Sequence, residues 1–139
     1  MIGCSNGTIV RCLVDTLTTQ NVSVSHTSPI TTVGFSKWPA SENNNEYYFA
    51  TGTVCGEVRV WDLADYVCLS IFTIPKAGSV TCLSLADNNH VISGWQDGGV
   101  RCTDVNGNQN WQIVWGSSGW CELFINSYRS QLAILRYRR

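Results

Sequence analysis

Few residue types in this chain could run covalent or metal chemistry: two histidines, His26 and His90, and seven cysteines, Cys4, Cys12, Cys55, Cys68, Cys82, Cys102 and Cys121. A hydrolytic relay needs a Ser, Thr or Cys nucleophile beside a His that a carboxylate orients. His26 with Thr51, and Ser93 with Asp97, offer such types, but no local signature marks any cysteine as a nucleophile. An odd number of cysteines without a C-x-x-C pair gives no support to a zinc or thioredoxin-like site. The glycines stand in turns rather than between a strand and a helix, so no phosphate loop is read. No metal, cofactor or small-molecule substrate is expected, and the cysteines are expected mostly as small buried apolar side chains.

What positions these residues is an internal repeat. FATGTVCGEVRVWD (49–62) aligns with VISGWQDGGVRCTD (91–104), placing Gly52, Gly56, Val58, Arg59 and Asp62 each 42 residues before Gly94, Gly98, Val100, Arg101 and Asp104. IGCSNGTIVRCL (2–13) is a third copy, with Gly3, Gly7 and Ile9 offset by 49 from Gly52, Gly56 and Val58. The seven extra residues belong in the Pro-, Ser- and Asn-rich stretch 36–46, a surface loop by composition. Within a unit the period is two, as a strand requires. Strands are expected at 30–35, 47–52, 57–61 and 67–72, and again at 80–85, 90–94, 99–103 and 110–115. Turns fall at 86–89, Asp97-Gly98 and Asn106-Gly107.

Four short strands about every 42 residues, with Trp61-Asp62 at the end of the third, resemble the blade of a WD-repeat propeller. An immunoglobulin-like sandwich is the bland alternative, but its strands do not repeat a fixed motif every fourth strand. The expected fold is all-β, a partial propeller of about two and a half blades. A blade remnant covers 1–26, full blades cover 27–73 and 74–115, and a divergent basic tail covers 116–139. About three 42-residue units fall short of the four blades a closed ring needs, so the chain is expected to be a fragment with open sheet edges.

The WD-repeat resemblance implies a structural role for the ionisable residues. In such a blade a His before the first strand, a Ser or Thr ending the second, an Asp in the next turn and the Trp of the third share buried hydrogen bonds. His26, Thr51 and Trp61 supply three members of the first full blade, with Cys55 at the Asp position. Ser93 and Asp97 supply two of the second, with Lys76 at the His position and Thr103 at the Trp position. A set spread over equivalent positions of separate blades reads as strand-holding rather than catalytic, and His90 has no partner in phase. Trp95, Trp111 and Trp115 are candidate interface residues, since Trp is favoured at interfaces, with packing against a neighbouring blade as the alternative.

Charge narrows the partners. A net charge of -1 makes no long-range field for nucleic acid or an anionic membrane. Residues 1–115 hold 5 basic and 9 acidic side chains, and 116–139 hold 4 basic and 1 acidic. No 18-residue apolar run and no secretory leader pattern is read, so a cytoplasmic location is expected and the sequons at Asn6 and Asn21 carry little weight.

A closer resemblance rests on YYFATGTVCGEVRVWD, on Ile74-Pro75 between blades, and on Ile92-Ser93-Gly94-Trp95-Gln96-Asp97-Gly98, where a Trp before the x-D-G turn is distinctive. Over about 3–115 the chain resembles the family of the cilia- and flagella-associated WD-repeat protein fifty-two. The resemblance implies a non-catalytic tandem propeller inside the axonemal doublet microtubule, contacting tubulin and other axonemal proteins. A cytosolic WD-repeat adaptor in another complex is the alternative. After Trp115 the blade pattern stops. Phe124, Tyr128, Leu132 and Leu135 stand at helical spacing opposite some of Arg129, Arg136, Arg138 and Arg139, the pattern of a basic amphipathic helix or of an unrelated tail.

Overall fold

The computed structural model describes residues 1–22, 26–36, 47–85, 90–114, 121–126 and 131–136, with side chains through residue 109. These residues contain thirteen strands and no helix, gathered into four antiparallel sheets. The first sheet has three strands, β1 (Ile2–Gly3), β2 (Ile9–Cys12) and β3 (Thr19–Asn21). The second runs β4 (Ile30–Phe35), β5 (Tyr48–Thr53), β6 (Glu57–Asp62), β7 (Cys68–Thr73), each strand paired to the next. The third repeats that order with β8 (Val80–Leu85), β9 (His90–Trp95), β10 (Gly99–Asp104) and β11 (Gln109–Val114).

The repeat read from the sequence is a repeat of backbone detail. Gly56 and Gly98 open the third strands with φ of 80° and 79°, a region that glycine enters without the Cβ clash other residues meet. Both first strands carry a bulge, between Ile30 and Thr32 and between Val80 and Cys82, and both third strands shift register where they meet the fourth. The residue left over in the first bulge is used: Thr31 Oγ1 donates to the carbonyls of Gly52, at 3.1 Å, and Val80, at 2.5 Å.

First strands line up from sheet to sheet, β1 beside β4 and β4 beside β8. Between the first and second sheets lie Ile9, Val22, Phe49 and Trp61; between the second and third lie Val58, Val60, Val80, Leu83, Val91 and Trp95. Both faces of the middle strands are therefore buried, as in stacked blades and unlike a one-faced sheet. Close stacking also fixes Gly52, because a Cβ there would stand 2.6 Å from Val80 Cγ1.

The helical reading after residue 115 is corrected. Residues Cys121–Asn126 form β12 and Gln131–Arg136 form β13, an antiparallel pair that sets Leu123 against Ile134 and Ile125 against Leu132. Apolar residues two apart in both segments match the strand period, which wins over the helical spacing of Phe124, Leu132 and Leu135. β12 lies beside β8 and β9. Tyr128 and the junction at 115–116 lie outside the described residues, as do 37–46 of the expected loop and 86–89 of the expected turn.

Candidate functional site

His26 belongs to the segment joining the first two sheets, where its backbone N–H donates to the carbonyl of Gly7 at 2.9 Å. That tie brings its ring against β5 and β6. His26 Nε2 lies 2.6 Å from Thr51 Oγ1, Trp61 Nε1 lies 2.8 Å from the same oxygen, and His26 Nδ1 lies 2.5 Å from Glu57 Oε1. Arg59 Nε donates to that carboxylate oxygen at 2.8 Å.

Proton directions in this chain follow from the chemistry of its ends. An indole N–H can only donate, so Thr51 Oγ1 accepts from Trp61. With Glu57 ionised, Nδ1–H of His26 donates to it, and Nε2 is left to accept the Thr51 hydroxyl proton. Neutral imidazole fits the surroundings. Burial, the largest influence, presses the His26 pKa below its ordinary 6.5 against the raising effect of Glu57. Burial opposes ionisation of Glu57, yet the bonds from Arg59 and His26 outweigh it and hold the carboxyl below its ordinary value.

Hydroxyl, imidazole and carboxylate thus stand in the order of a hydrolytic relay. Thr51 and Trp61 are nonetheless fully buried, His26 is nearly so, and a Trp61 N–H caps the hydroxyl oxygen. A substrate carbonyl has no path to that oxygen. What the arrangement does is join β5, β6 and the inter-sheet segment through polar groups that would otherwise be buried without partners.

The third sheet solves the same problem with different residues. Trp95 Nε1 donates to Ser93 Oγ at 2.8 Å, and Ser93 Oγ donates to the Arg101 carbonyl at 3.3 Å. Asp97 accepts from both terminal nitrogens of Arg101, at 3.0 and 2.5 Å, and from the Gly99 N–H at 2.8 Å. Burial opposes its ionisation, but these donors keep the carboxyl below its ordinary range. Arg101 also lies over Trp95, 5.7 Å from the ring centroid. Thr103, where the preceding sheet has Trp61, is buried with its hydroxyl unpartnered among the described residues.

Trp95 is a correction to the candidate interface: its side chain is fully buried and serves Ser93, so it offers no surface. Trp111 stands on β11 opposite Cys102, with its side chain outside the described residues, as is all of Trp115. Of the six cysteines whose side chains are described only Cys102 is buried, four are half-buried and Cys55 is exposed, which corrects the expectation of general burial. Cys55 sits in a turn at the Asp position, where solvent rather than core surrounds it. His90 faces Asp104 across the β9–β10 ladder, a pairing that sequence phase did not show. The Asp104 carboxylate is taken up by Asn106 and Asn108, whose bonds hold its pKa below the ordinary value. No group of three metal-binding side chains occurs among the described residues.

Glu57 has no role in the sequence reading, and Arg59 and Arg101 enter it only as matched positions of the repeat. A signal existed for Glu57: it is the carboxylate two residues beyond Cys55, and its longer side chain reaches the imidazole from the strand instead of the turn.

No protein-family model matches the chain, and no curated protein does. Among solved structures it is similar to the crystal structure of Sqt1 from Saccharomyces cerevisiae, a yeast WD-repeat protein, with a TM-score of 0.68 and 19% identity over 88% of this chain. The match takes in 31% of that chain, so the present chain spans about a third of its length. At this identity the likeness is one of fold: the described residues form part of a β-propeller like that of a WD-repeat protein.

Proposed function

We propose that the chain is part of a non-catalytic protein-binding scaffold of ciliary or flagellar axonemes, a microtubule inner protein that stabilises doublet microtubules and supports motility. Its partners on this reading are tubulin and other axonemal proteins, with no nucleic acid, membrane or small-molecule substrate. The non-catalytic part is supported by the burial of Thr51, whose hydroxyl is spent between Trp61 and His26. The axonemal part is carried by the string Ile92 to Gly98, where Trp95 precedes the x-D-G turn. In the structure that Trp serves Ser93 within its own sheet.

The test is to tag the protein in a ciliated host and fractionate. Recovery with salt-washed axonemes and co-purification of tubulin are expected. Its presence in soluble cytoplasm with absence from purified axonemes would favour the second reading, a cytosolic WD-repeat adaptor, which the fold alone supports equally.

A further inference from the structure

The junction between the first and second sheets differs from that between the second and third, and the difference leaves a pocket. The ladder pairs Arg11 with Gln20 and Val60 with Ser70, so these pairs hold the same position in successive sheets. At the second junction that position is closed. Val60 is buried in the core, Ser70 Oγ donates to the Val105 carbonyl, and Phe72 lies against Gly107. At the first junction Arg11, Gln20, Asn21, Val22, Asp65 and Tyr66 line an open cavity of about 180 Å³.

Arg11 is placed rather than loose. Its guanidinium lies over the Tyr66 ring, 5.5 Å from the centroid, and makes no ion pair among the described residues. Tyr66 in turn packs edge-on against Phe49, with ring centroids 6.4 Å apart. It does so from a backbone φ of 61°, at the turn position where the third sheet has Gly107 at 89°. The same turn of the first sheet holds Leu17 at 54°, so the left-handed conformation belongs to this turn in each of the first three sheets and serves here to carry the Tyr66 ring to Arg11.

We propose that this pocket takes a side-chain carboxylate from an acidic segment of a protein partner. A guanidinium stacked on an aromatic ring keeps its N–H edge free for two parallel bonds to a carboxylate, which the point charge of lysine cannot match. The Gln20 amide, paired with Arg11 across the ladder and so on its face of the sheet, adds a donor, and Asn21 lines the pocket beside it. Asp65, whose Oδ1 accepts the Val67 N–H at 3.1 Å, is the like charge on the rim. It repels a doubly charged phosphate more than a singly charged carboxylate. Residues 1–115 hold 5 basic and 9 acidic side chains, so the field around the pocket opposes an acidic segment at long range and the attraction is the local one of Arg11. The assignment rests on the protein-binding reading above and supplies the chemistry of one contact.

The test is a titration of the isotopically labelled full chain with a peptide of about ten glutamates, read by NMR at Arg11 Nε–H and the Gln20 and Asn21 amides. Saturable shifts are expected at those groups, with none from a glutamine peptide of equal length. Arg11→Ala and Arg11→Lys should each weaken binding about tenfold or more. Among the described residues the Arg11 guanidinium contacts the Tyr66 face and makes no ion pair, and the Lys variant keeps the charge should the Ala variant melt early. Absent shifts, unchanged affinity in both variants, or about tenfold tighter binding of a phosphoserine peptide each overturn the proposal. None of these results bears on axonemal recovery, so the two readings fail separately.

Discussion

Trp95 donates its indole N–H to Ser93, two residues back on the same strand, at the 2.8 Å that separates Trp61 from Thr51 on the neighbouring strand of the preceding sheet. The hydroxyl of each second strand is thus capped by an indole, reached from opposite ends of the sheet. Side chains at i and i+2 share a face of a strand, so Trp95 is delivered to Ser93 by the pleat alone. Replacing Trp95 with Phe should keep most of the packing and strand Ser93 without its donor. Loss of about 1–3 kcal/mol of unfolding free energy is expected in urea titration. Ser93→Ala with Trp95→Phe should cost less than the sum of the single changes, and strict additivity would show that the bond carries no energy.

Thr51 and Thr103 should respond oppositely to one substitution. Thr51→Val removes the acceptor of Trp61 and the donor to His26, leaving two buried polar groups alone, a loss of about 2–4 kcal/mol. Thr103→Val removes a buried hydroxyl that has no partner among the described residues and replaces it with a methyl of similar shape. A gain of about 1 kcal/mol is expected from thermal melting, and a loss there would mean that the hydroxyl is bonded after all.

Acid should act in two stages. His26 is held below its ordinary 6.5, chiefly by burial. Between its depressed value and 6.5 the unfolded chain binds a proton that the folded chain refuses, so stability falls as pH drops through that window. Protonation also removes the Nε2 lone pair that accepts the Thr51 hydroxyl. Glu57 and Asp97, held below 4.5 and 3.8, stabilise the fold above those values and lose that contribution as pH falls through their lower folded values. Urea midpoints measured between about pH 7 and pH 5 should decline in the natural chain and flatten in His26→Gln. An equal slope in both would assign the first stage to another group.

The strands, their 42-residue phase and the turn glycines could be read from sequence because each depends on local geometry. Gly56 must reach positive φ, and Val58 and Val60 must alternate with Arg59, whatever the neighbouring sheet does. The relay was legible only where residue type and position coincide, as in His26, Thr51 and Trp61. Glu57 escaped because its role depends on side-chain reach across a turn, and the Asp position itself holds Cys55. Trp95 was visible as unusual but not as buried, since burial depends on how the second sheet packs upon it. After residue 115 the apolar residues fit two periods at once, and only pairing between β12 and β13 separates them.

Gly52 tests whether sheet stacking, rather than chain flexibility, explains the repeated glycine of the second strand. Its φ lies outside the left-handed region, so alanine meets no backbone penalty there. A Cβ would nevertheless stand 2.6 Å from Val80 Cγ1 and 3.0 Å from Thr32 Cγ2, too close for either to remain in place. Gly52→Ala should therefore destabilise by about 1–3 kcal/mol, the usual range for overpacking between close-packed layers. Val80→Ala removes the nearest obstructing methyl, though by itself it opens a cavity in the same layer. Combined, the two changes relieve the contact with Cγ1 but keep Val80 Cβ 2.8 Å from the new methyl, so the double variant should recover only part of the summed single losses. Additive losses in urea unfolding would mean that β8 does not bear on β5 as closely as the structure places it.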